Sequence, residues 1–285
     1  VVNVIKKNLS ESIRARLKNL SRSRNRPFDE ILRYYAIERF LYRLSISPYS
    51  QKFFLKGGLI FKVWDAIGHR ATLDIDLLAH TSNKIENLQN IIRSIASLEY
   101  ERDSMSFDTE KLILRKTQTN GDCEGVSAGF SAKLFTSKIP ILIDIGFNDL
   151  IIPRPEKIHY PTLLDMEHPE LLGYTLETVI GEKLESIVKL ALVNTRMKDF
   201  YDLWTIVVKE KLHPERLEFA VKQIFSNRKT ELKYPVAFTP EFYEEPEVSR
   251  RWANFLSSMG KEHVNFKGII LELSSFFSQY MNPSE

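Results

Sequence analysis

Between residues 29 and 45, Ile31, Leu32, Tyr35, Ile37, Phe40, Leu41 and Leu44 recur at helical spacing. They predict a helix with a broad apolar stripe, and Pro27 and Asp29 suit its start. Residues 9–19 carry the same period on a shorter scale. Lys52 to Leu55 reads as a short strand that runs into the Gly57-Gly58 turn. A short helix is expected through Ile60, Phe61 and Trp64, ending near Gly68. Thr72 to Ala79 alternates as a strand, and residues 84–97 return to helical spacing. Strands are expected at 105–115, 126–135 and 139–147, with breaks at Asn120-Gly121 and Lys138-Ile139-Pro140.

After about residue 165 the strand signals nearly stop. Residues 176–193 and 196–211 read as two helices broken at Asn194-Thr195, with Thr195 as N-cap. Further helices are expected at 214–226, 247–258 and 262–280, and the proline-punctuated stretch 230–247 as irregular chain. The pattern predicts an α+β protein: a mixed-sheet lobe over 1–165 with helices at its N-terminal end, then a mainly helical lobe over 166–285. The boundary is expected between 160 and 175.

Composition narrows the class. A hydrophobic content of 43% and a charged content of 27% are those of a globular protein with an ordinary core. No apolar run approaches the ~18 residues needed to span a bilayer, so no membrane partner is expected. The opening VVNVIKKNLSESIRARLKNL lacks the apolar core and cleavage site of a signal peptide, and a cytoplasmic location is expected. A single cysteine, Cys123, excludes an internal disulfide and a thiolate zinc site. The net charge is only +3, but it is uneven. Before Pro27, Lys6, Lys7, Arg14, Arg16, Lys18, Arg22, Arg24 and Arg26 face Glu11 alone, either as a phosphate contact or as a solvated helix face.

The chemistry concentrates in GHRATLDIDLL, residues 68–78. On a strand, Asp74 and Asp76 share a face about 7 Å apart, where they repel unless a cation is shared between them. Mg²⁺ is the natural candidate, since it takes oxygen ligands from one or two carboxylates and substrate phosphates. Asp144, the lone acid in IPILIDIGF, is the candidate third carboxylate. The amides of Gly57-Gly58 could cradle a phosphate. A D-x-D on its own more often marks the wet face of a strand. The order strand, Gly-Gly turn, helix, D-x-D strand, third strand aspartate is that of polymerase-β-like nucleotidyltransferases. The P-loop, dinucleotide and zincin motifs are missing. His69, beside Arg70, reads as a loop spacer.

These stretches, with GEKLESIVKLALVNTRMKDFYDLW (181–204) and RRWANFL (250–256), resemble the AbiEii/AbiGii toxin family, which includes MenT-type nucleotidyltransferase toxins. The resemblance runs in order across nearly the whole chain. It implies Asp74 and Asp76 as metal ligands, Gly57 and Gly58 at the nucleotide phosphates, Lys183 at the triphosphate and Asp199 as a further essential acid. It also implies that Arg70, Thr72 and Lys198 line the site. Relatives of the wider superfamily often carry Gly-Ser where this chain has Gly57-Gly58. On one continuous helix Lys183 and Asp199 would lie roughly 24 Å apart, so a common role requires the chain to fold back at Asn194-Thr195. Tyr201 and Asp202 read as packing and helix-face residues.

The expected activity is Mg²⁺-dependent transfer from an NTP to RNA, with tRNA 3′ ends, growth arrest, phage defence and a cognate antitoxin implied by the resemblance. Thr72 is a further candidate, as a phosphorylation point beside the carboxylates. The alternatives are a nucleotidyltransferase acting on a small molecule or a protein, and a non-catalytic module that binds NTP or RNA.

Overall fold

The computed structural model describes residues 2–64, 72–118, 124–261 and 264–281. The expected Asn120-Gly121 turn, Gly68, His69 and Arg70 lie outside the described residues. The fold is α+β and divides into two compact units, 1–148 with 156–173, and 149–155 with 174–285.

The first unit opens with α1 (Val2–Ser23) and α2 (Phe28–Ile46). Ile13 and Leu17, one turn apart, are buried on α1. Its cations Arg16, Lys18 and Arg22 are exposed. The α2 stripe is buried as its spacing predicts, and Asp29 and Glu30 fall in its first turn, where negative charge complements the helix dipole.

The sheet has seven strands: β1 (Phe53–Lys56), β2 (Ile75–Ala79), β3 (Met105–Gln118), β4 (Glu124–Leu134), β5 (Ser137–Gly146), β6 (Glu156–His159) and β7 (Glu170–Gly173). Their order is β3-β4-β5-β2-β1-β7-β6. It is mixed: β2 runs parallel to β5 and β1 parallel to β7, while the other neighbours are antiparallel. Period-two patterning sorts the two faces. Ile75 and Leu77 of β2, Val126, Ala128, Phe130 and Ala132 of β4, and Ile139, Ile141, Ile143 and Ile145 of β5 enter one core with α2 and with α3 (Ile85–Ala96). The alternate positions on β4 are polar or small, while those on β2 and β5 mix Asp76, Lys138 and Asp144 with Leu78, which is buried, and Leu142.

Three expectations are corrected. The strand expected from Thr72 begins only at Ile75, so Thr72 and Asp74 lie on the segment leading into β2. The helix expected through Trp64 is a 3-10 turn, Gly57–Lys62. The short strands β6 and β7 give no alternation that sequence could reveal, yet β7 pairs with β1 and carries β6 at the sheet edge.

Arg43 of α2 shows how a buried charge is tolerated here. It is 1% exposed, and all its N–H groups are used: on Asp103 at 2.6 and 3.2 Å, and on the carbonyls of Arg39, Leu98 and Met105.

The second unit is helical: α4 (Leu176–Leu190), α5 (Met197–Lys209), α6 (Pro214–Asn227), α7 (Pro240–Tyr243), α8 (Pro246–Ser258) and α9 (Phe266–Phe277). Thr175 caps α4 by accepting from Thr178 N. Phe200, Phe242, Trp252 and Phe266 form an aromatic core. Arg228 binds Asp149, Glu182 and Glu185 at 2.8–3.0 Å and so ties the 149–155 segment to α4 and α6. Among the described residues no helix is long and apolar enough to cross a membrane.

Candidate functional site

The strand register assembles the first group of residues. Lys56 of β1 pairs with Asp76 of β2, Asp76 with Asp144 of β5, and Asp144 with Ser127 of β4. Paired residues share a sheet face, so Lys56, Asp76, Asp144 and Ser127 form one row, and each is partly exposed. A hydrophobic chain needs no acid in two adjacent central strands, and placing two beside each other is costly without a cation.

Gly57 follows Lys56 with φ +66°, a conformation that favours glycine. A Cβ built there would come within 2.0 Å of Asp76 Oδ2, so Gly57 lets the backbone lie directly against that carboxylate. Gly58 is held small for a different reason: a Cβ would lie 2.2 Å from Thr72 Oγ1. Thr72 therefore fills the space that the side chain of a Gly-Ser sequence would need. Thr72 is buried, and its N–H donates to Tyr34 Oη at 3.0 Å.

Asp74 precedes the strand and accepts from Arg33 Nη2 at 3.0 Å. Arg33 and Tyr34 are consecutive on α2, so one helix grips the 72–74 segment through two side chains. Neither was legible as a site residue, since Arg33 lies 41 residues from Asp74 in sequence. Lys62 lies with Nζ 3.1 Å from the Tyr34 ring centroid. Burial lowers its pKa to about 8, against the raising influence of Glu38.

Among the described residues no three His, Cys, Asp or Glu side chains are grouped to hold a metal ion. The Asp76–Asp144 pair nevertheless has the chemistry for a hard cation: oxygen donors only, adjacent in register, partly open and with the Gly57 backbone directly against Asp76.

The second group lies in the other unit. After α4 the chain makes a short 3-10 turn, Ala191–Val193, and reverses into α5. Thr195 does not cap α5. Asn194 does the local work instead, its Oδ1 accepting from Arg196 N at 2.7 Å. The reversal brings Lys183 Nζ to 2.8 Å from Asp199 Oδ1 and 2.8 Å from Asp202 Oδ2. Asp199 and Asp202 are almost fully buried, and Arg196 Nε lies 2.7 Å from the second oxygen of Asp199. Burial pulls the Lys183 pKa down, but the attraction of Asp199 and Asp202 outweighs it and the net shift is upward. Lys183 is therefore a fixed cation at physiological pH. Asp202, read from sequence as a helix-face residue, is its second partner; its position three residues after Asp199 on one helix was the available signal. Lys198 is exposed on α5. Tyr201 packs against Lys261, whose Nζ lies 4.9 Å from the ring centroid.

A family model described as nucleotidyl transferase AbiEii toxin, type IV toxin–antitoxin system, matches residues 39–270. The fold is similar to that of MenT4, a nucleotidyltransferase toxin from Mycobacterium tuberculosis H37Rv. The TM-score is 0.50 at 14% identity, covering 93% of this chain and 99% of that one. JHP933 from Helicobacter pylori matches at a TM-score of 0.44 and 10% identity, covering 88% of this chain and 94% of that one. A search of curated proteins finds no match. With the family model spanning most of its length, the chain belongs to the AbiEii nucleotidyltransferase toxin family and is a nucleotidyltransferase.

Proposed function

We propose that this enzyme transfers a nucleotide from an NTP to the 3′ end of RNA, with tRNA as the acceptor, and that the modification blocks translation and arrests growth. The observation that carries the reading is the row Lys56–Asp76–Asp144 set beside Gly57. Asp76, Asp144 and Asp74 would hold a divalent cation, Mg²⁺ in this reading, which when bound neutralises phosphate charge and acidifies a nearby hydroxyl.

The chain's own groups have distinct tasks. Gly57 and Gly58 let the turn lie against Asp76 and Thr72, and in this reading their backbone amides meet the phosphates. Lys56 adds positive charge next to Asp76. Arg33 holds Asp74 and Tyr34 holds Thr72, so the carboxylates meet substrate already oriented. Lys183 keeps its charge for the departing pyrophosphate. Asp199 holds Lys183 through one oxygen and has Arg196 Nε 2.7 Å from the other. The acid serves to orient the acceptor hydroxyl.

RNA is favoured over a small acceptor by α1, whose exposed Arg16, Lys18 and Arg22, followed by Arg24, suit a salt-sensitive phosphate contact. The family's type IV toxin–antitoxin assignment implies a cognate antitoxin, and the phage-defence role and cytoplasmic location belong to the same reading. The test is incorporation of labelled NTP into total RNA, beside a small-molecule panel, by wild type, Asp74→Ala and Lys183→Ala. Loss of RNA labelling in both variants supports the proposal, and undiminished labelling in both overturns it.

A further inference from the structure

We propose that the outward face of β3, β4 and β5 is the track on which the single-stranded 3′ end of the RNA acceptor lies, with Arg115 holding a phosphate and Ile113 a base. This rests on the RNA-transfer reading and extends it from the carboxylates to the acceptor.

The register carries the argument. Arg115 of β3 pairs with Ser127 of β4, which pairs with Asp144 of β5. Arg115 is therefore in the row of Asp144 and Asp76, two and three strands away, about 10 and 14 Å at the backbone. The arginine is exposed and its side chain can span much of the first gap. In the next row, Ile113 pairs with Gly129 and Gly129 with Leu142. Leu142 precedes Ile143, whose partner on β2 is Ile75, the residue after Asp74.

An isoleucine 56% exposed on the outward face of a sheet, one row from an acidic pair, serves no core. Between Ile113 and Leu142 nothing projects, since a Cβ at Gly129 would meet only Leu142 Cδ1, at 4.0 Å. The result is a shallow apolar shelf beside the carboxylates, suited to the face of a base.

The far end of the same face is cationic. Lys133 and Lys138 are directly opposed in register, and both are exposed. Like charges across a strand pair repel. Asp108, 3.3 Å from Lys133, offsets one of them. From Lys133 to Ser127 is six residues, roughly 20 Å along the strand. A chain entering at Lys133 and Lys138 would pass the Ile113 shelf and reach Arg115 with its terminus at Asp144 and Asp76. Alternating cations with an apolar shelf match a phosphate–base polymer in single-stranded form; a small acceptor would need none of this length.

The test uses the full-length enzyme and a fluorescent RNA hairpin with a short single-stranded 3′ extension, beside the same hairpin blunt-ended. Affinity is read by anisotropy over a salt series, and KM is read separately for RNA and NTP. Arg115→Ala and Ile113→Ser should each weaken binding of the extended RNA at least about 5-fold. Arg115→Ala should lower the salt slope by about one, and Arg115→Lys should restore it. The KM for NTP should not move. Unchanged RNA affinity and KM in both variants overturn this proposal while leaving RNA transfer standing. Failure of the wild type to bind or label any RNA overturns the transfer reading as well.

Discussion

Replacing Gly58 with alanine isolates the contact that explains why this chain carries Gly-Gly. The added Cβ would sit 2.2 Å from Thr72 Oγ1, 2.8 Å from its Cγ2 and 2.9 Å from its Cβ. Ordinary contact begins near 3.4 Å, so about 1 Å must be recovered by movement. Thr72 has little room to give, being 8% exposed with its N–H held by Tyr34. Overpacking of this kind costs about 1–3 kcal/mol. Thr72→Ala removes the two nearest atoms and by itself costs about 1 kcal/mol. If the steric reasoning is correct, the double variant is less destabilised than the sum of the singles by about 1 kcal/mol or more. Urea unfolding of the four proteins, followed by fluorescence, supplies the cycle. Additive effects, or a Gly58→Ala protein as stable as wild type, refute it.

Asp103→Ala should strand Arg43 in the core and cost about 3–5 kcal/mol in urea unfolding, whereas a surface substitution such as Lys138→Ala should leave the midpoint unchanged. Burial raises the Glu38 pKa to about 8 from an ordinary 4.5, so the folded state retains a proton that the unfolded chain has lost. Glu38 therefore subtracts stability as pH rises through that window, by up to about 1.4 kcal/mol per unit, and Glu38→Gln should flatten the fall in Tm between pH 5 and 8. Lys183 is the opposite case. Its raised pKa stabilises the fold below the ordinary lysine value of 10.5, and that contribution fades as pH rises through the higher folded value. The stability gap between wild type and Lys183→Met should be constant near neutrality and narrow only in strongly alkaline solution.

Local pattern revealed most of the architecture. The α2 stripe, the alternation of β5 and the break after α4 each follow from the spacing of neighbouring residues, and each lies close to where it was expected. Four-residue β6 and β7 were hidden because such a span cannot display a period, and their place in the sheet is set by pairing with β1. Within the candidate site, acids stood out against apolar surroundings, so Asp74, Asp76 and Asp144 were legible. Their supports were not. Arg33 and Tyr34 are ordinary members of an amphipathic helix until the fold brings them to residues 72–74. Asp202 was read as a helix-face acid because only the returning chain supplies Lys183 as its partner.

The account turns on Asp76 as the carboxylate at the centre of the reaction. The most direct measurement is the single-turnover rate of labelled NTP transfer to RNA by wild type and Asp76→Asn over a titration of divalent cation. A loss of at least about 100-fold that saturating cation does not restore is predicted. A variant that transfers at the wild-type rate with the same cation dependence would contradict it.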